Sequence, residues 1–90
     1  MKRRVAFQNM SGMPVAIVEV DRAELGSHEK EVWLLQKLGE APQLLGNVVL
    51  LGAPHQSQQV AAFSGPEDLC MALSKIGWIR LPWQEIELPC

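Results

Sequence analysis

Residues 15–20 are VAIVEV. In an extended chain Val15 and Ile17 point one way and Ala16, Val18 and Val20 the other, so both faces are apolar and only Glu19 interrupts them. A strand of that kind is buried on both sides and belongs in the middle of a sheet. Asn47-Val48-Val49-Leu50-Leu51 is a second run of the same type. Between the two, Ser27 is a suitable cap for a helix that runs through Leu38 and stops at Gly39. At about 100° per residue, Leu34, Leu38, Leu35 and Val32 occupy one arc of about 160°, the expected core face. Trp33 falls outside that arc, and Glu29, Lys30 and Lys37 point to water. Pro42 prevents the helix from continuing through Leu44 and Leu45.

The flanking segments complete the pattern. Residues 5–10 form a short strand that ends at the turn signal Ser11-Gly12. GAPHQSQ, residues 52–58, has loop composition, and residues 59–63 are a further strand. Ser64 and Glu67 stand at capping-box spacing, with Pro66 suited to a first helical turn. Leu69, Ala72, Leu73 and Ile76 follow at helical spacing, and Gly77 ends that helix. In the final WIRLPWQEIELPC, Leu81 and Trp83 share the parity of Ile79, whereas Ile86 and Leu88 have the opposite parity. A bulge near Pro82 would turn Ile79, Leu81, Ile86 and Leu88 toward one core, with residues 79–88 as an edge strand.

This succession predicts one α+β domain over residues 1–90. It is a two-layer sandwich with two helices on one face of a mostly antiparallel sheet of four or five strands. The strand order expected is βαββαβ, as in ferredoxin-like folds, with an extra N-terminal strand. Residues 4–10 strain that expectation, because a hairpin partner there competes for a place beside the central strand.

Apolar residues make up 48% of the chain and charged residues 20%, which excludes a disordered polar tail. That much apolar material in 90 residues favours a surface buried against a second copy. The net charge of −2 is a poor start for nucleic-acid binding, which rests on Lys and Arg contacts to phosphate. The one basic run, Lys2-Arg3-Arg4, is expected to be solvated, with an electrostatic tether to an anionic partner as the alternative. Gln8, Asn9 and Ser11 interrupt any leader-like apolar region, and no run approaches the ~18 apolar residues of a membrane span. Two cysteines make no disulfide framework, so a reducing cytoplasm is the expected compartment.

The chain carries no Cys or His pair at metal-ligand spacing and no Gly-rich phosphate loop. Cys70 has acidic neighbours in Glu67 and Asp68, which oppose a reactive thiolate, so it is expected to be structural. His28 is expected on the surface, and Cys90 as a free thiol. No catalytic residue, metal or cofactor is expected. The candidates for binding are Trp33, Trp78, Trp83 and His55. They point to a small interaction module that pairs with itself through an apolar surface, with room for a further protein partner. The alternative is a small-molecule-binding or catalytic domain, with a pocket between sheet and helices or at the dimer seam, near His55 and Trp83.

Overall fold

The computed structural model describes residues 1–10, 12–44, 47–52, 62–75 and 80–89. Its strands are β1 (Lys2–Met10), β2 (Met13–Val20), β3 (Asn47–Gly52), β4 (Ala62–Ser64) and β5 (Gln84–Glu87). Its helices are α1 (His28–Gly39) and α2 (Glu67–Ser74), with short 3-10 turns at Arg22–Leu25 and Pro42–Leu44. The five strands make one mixed sheet in the order β4-β3-β2-β1-β5. Only β2 and β3 are parallel; β1 runs antiparallel to both β2 and β5, and β3 antiparallel to β4.

β1 and β2 form a hairpin in register Val5↔Val18 to Met10↔Met13. At its tip the Asn9 Oδ1 accepts a hydrogen bond from the Gly12 N–H at 2.8 Å. Gly12 has φ +82°, a backbone state that glycine adopts without the clash of a Cβ. Two parallel neighbours cannot be joined by a tight turn, and α1 provides the crossover between β2 and β3. The Ser27 Oγ caps α1 by accepting from the Lys30 N–H, Glu29 and Glu31 lie in its first turn, and Lys37 lies in its last. That charge order suits the helix dipole.

The ferredoxin-like order is corrected by the direct β2–β3 pairing. In that order another strand separates the two parallel strands, whereas here they are neighbours and β1 holds the far side of β2. The single-face arrangement of helices is corrected as well. Val5, Ala16, Val18, Val20, Val48 and Leu50 share one core with Leu34 and Leu38 of α1. Ala6, Val15, Ile17, Val49 and Leu51 share the other with Leu73 of α2. Successive residues of β2 and β3 alternate between these cores, so the helices cover opposite faces of the sheet. Doubly apolar strands require this, since a single layer of helices would leave one row of Val and Leu in water.

The same geometry removes the need for a bulge near Pro82. Leu81 and Trp83 pack on the α2 side, and Ile86 and Leu88 on the α1 side. The parity change is simply the use of both cores. The strand expected over 79–88 is confined to Gln84–Glu87, paired to Lys2–Val5 at one edge of the sheet. Ile79 and Ile76 lie outside the described residues, as does the expected strand before residue 62. Ser64 ends β4 rather than capping α2, whose N-cap is Pro66. Leu73→Ala is expected to cost about 2–5 kcal/mol by deleting buried methyl groups and leaving a cavity. Urea denaturation measures this, and a change near zero would mean that the α2-side core does not depend on that helix.

Candidate functional site

α1 presents Leu34 and Leu38 to the sheet and leaves Glu29, Val32, Trp33, Gln36, Lys37 and Glu40 outside. Val32 is 48% exposed and Trp33 43%. The Lys30 Nζ sits 4.7 Å from the centroid of the Trp33 ring, a cation–π contact that leaves much of the indole in water. Trp33 therefore stands where its helical angle places it. Val32 does not lie in the core as expected. It is about 160° round the helix from Leu34, and the buried stripe is narrower than the arc drawn to include it. Glu29 and Lys37, one turn before and one turn after Trp33, have no ion-pair partner among the described residues.

A concave feature lies where α1, the Pro42–Leu44 turn and the end of β5 meet. This open groove of about 540 Å3 has Lys37, Glu40, Gln43 and Glu87 on its rim. Buried Ala41 and Leu88 lie among the residues lining it, and Gln43 Nε2 donates to the Glu87 carbonyl at 3.2 Å. It joins segments more than forty positions apart in sequence, so no local pattern announced it. Trp83 is not part of it. That residue is half-buried on the opposite face of the sheet, with the Arg4 guanidinium 5.2 Å from its ring centroid. Trp78 and His55 lie outside the described residues, as does Cys90.

Of the basic run Lys2-Arg3-Arg4, Lys2 and Arg4 are exposed as expected but Arg3 is not, because the run lies in β1 and the strand period sends its guanidiniums to opposite faces. Arg3 is only 8% exposed and holds Glu24 through two parallel contacts of 3.1 Å. Arg4 Nη1 meets Glu19 Oε2 at 3.2 Å. Glu24 also accepts the Asp21 N–H, so one carboxylate ties β1 to the turn that leads into α1. Cys70 packs beside the α2-side core, and burial pushes its thiol above the ordinary value, away from thiolate chemistry. His28 is exposed, with Nδ1 3.9 Å from Glu31 Oε2. No group of three metal-ligating side chains is assembled among the described residues. Nor is any helix there long and apolar enough to cross a membrane.

No known family model, curated protein or solved structure matches the chain.

The Arg3 hydrogen bonds hold the Glu24 carboxyl below its ordinary value of 4.5. A carboxyl depressed in the folded state stabilises the fold fully above its unfolded value and loses that contribution as pH falls through the folded value. Acid unfolding below pH 4.5 should therefore include this carboxylate. Glu24→Gln is expected to cost about 1–3 kcal/mol at neutral pH, where a buried guanidinium loses its charged acceptor. It should also flatten the fall in stability between pH 5 and pH 3, roughly the window over which such carboxyls titrate. Denaturation midpoints for both chains across that window check this, and parallel curves would contradict it.

Proposed function

We propose that the protein is a small interaction module that works as a homodimer, with the outer side of α1 at Val32 and Trp33 as its apolar surface. The exposed Trp33 carries this reading. It stands 43% exposed on a helix whose other large apolar side chains, Val32 apart, face the core. Tryptophan is enriched at interface centres, where its ring removes more area from water than any other side chain. The expected setting is a reducing cytoplasm, which the two cysteines and the absence of a disulfide framework support.

Area limits the strength of the pairing. A stable interface buries about 800 Å² on each partner. A helix of 12 residues is only about 18 Å long and about 10 Å wide, so α1 alone covers a fraction of that. The expected dimer is therefore reversible, with dissociation in the micromolar range. A second reading, a small-molecule-binding domain, draws support from the groove of about 540 Å3 beside Gln43 and Leu88. Its size lies within the usual range for ligand sites of about 300–1,000 Å3, but its openness would leave a ligand largely in water.

Sedimentation equilibrium tests the proposal. The mass should rise from the 10.0 kDa of one chain toward twice that value at high micromolar concentration. Trp33→Ala should weaken association by about 2 kcal/mol, some thirtyfold in Kd, as expected for an interface hot spot. Its denaturation midpoint at low concentration should stay near that of the parent, because the ring is not in either core. A monomer at every accessible concentration would defeat the proposal.

A further inference from the structure

We propose that two copies pair through antiparallel α1 helices about a two-fold axis at Trp33, with Glu29 of each opposite Lys37 of the partner subunit. This rests on the self-association proposed above and specifies its geometry. Glu29, Trp33 and Lys37 are spaced four residues apart, which places them along one ridge of the helix. A two-fold axis exchanges positions equally far before and after the residue it passes. With Trp33 on the axis, the indole meets its own copy, and the Glu29–Lys37 pair forms twice, once at each end of the ridge. Both charged side chains are exposed and lack an ion-pair partner among the described residues.

Other alignments serve these charges less well. Parallel helices would set Glu29 against its own copy and Lys37 against its own. An antiparallel axis between Leu34 and Leu35 would set Glu29 against the partner's Glu40. An axis at Leu35 would stack Trp33 on the partner's Lys37 and leave Glu29 facing the partner's Ala41, with no charge to meet. The outer side of α1 carries Glu29, Lys30, Lys37 and Glu40 and so sums to zero, although the chain bears −2. Two like-charged molecules can therefore approach on this side with less repulsion than a random face would give.

Charge exchange tests the geometry, with Kd measured at low ionic strength because exposed pairs are screened by salt. E29K and K37E each replace two attractive contacts by two repulsive ones, and each should weaken the dimer about tenfold or more. The double variant E29K/K37E restores both pairs and should bind within about threefold of the parent. Mixed together, the E29K and K37E chains should form a heterodimer tighter than either homodimer. Circular dichroism at low concentration checks that each chain is folded, since the swaps act against the helix dipole. A parent that dimerises while neither swap changes Kd, or while the double variant shows no rescue, overturns this axis and leaves self-association standing. A parent that stays monomeric overturns both. Failure to rescue combined with a large loss in K37E alone would favour the axis at Leu35 and would equally overturn the proposed one.

Discussion

The parallel pairing of β2 with β3 sets the conditions for the rest of the molecule. Six residue pairs, from Val15↔Asn47 to Val20↔Gly52, bring two apolar strands side by side. Ile17, Val18, Val49 and Leu50 are fully buried and alternate between the two faces. Each such side chain contributes about 1.5–3 kcal/mol when removed from water, so neither face can be left open. Parallel neighbours also demand a long crossover, and covering the second face demands another helix. α1 fills the first role while covering one face, and α2 covers the other. A two-layer arrangement would meet only the first of these demands.

β1 owes its charge distribution to the same sheet. It lies between β2 and β5, so alternate residues face different layers. Arg3 shares the parity of Val5 and is drawn under the turn before α1, where Glu24 compensates its charge. Arg4 points to the α2 side, between Glu19 and the Trp83 ring. Three consecutive basic residues thus become two separate ion pairs and one exposed lysine. A buried guanidinium is tolerated because a bidentate carboxylate replaces the water it has lost.

With both faces covered by helices, the sheet cannot serve as an open platform for a ligand. Its edges are also poor templates for another strand. β4 has three residues, and β5 has four, with Glu85 and Glu87 exposed and Pro82 and Pro89 just outside it. Short, charged and proline-flanked edges discourage strand addition. Among the described residues, the surfaces left are the backs of the helices and the groove beside Gln43. Of the helix backs, that of α1 combines exposed Val32 and Trp33 with charges of both signs. That combination is what the proposed self-pairing rests on.

Much of the fold was legible because it is local. VAIVEV and NVVLL marked the central strands, and Ser27 and Gly39 bracketed α1 to within a residue. Trp33 was placed outside the core by its helical angle alone. Val32 was misplaced because angle gives direction but not the width of the stripe that neighbours bury. The sequence by itself determined where the central strands and the two helices run and that two strands must be hidden on both sides, while it drew the last strand longer than the Gln84–Glu87 that pair. Tertiary structure alone decided that α2 crosses to the far face, since Leu69 and Leu73 show an apolar stripe without showing which layer it meets. It decided that Arg3 is buried and paired with Glu24, because that contact spans 21 positions and depends on where the turn lands. It also brought Gln43 to the Glu87 carbonyl and so made the groove, since periodicity along a chain carries no information about segments that meet only after the sheet has closed.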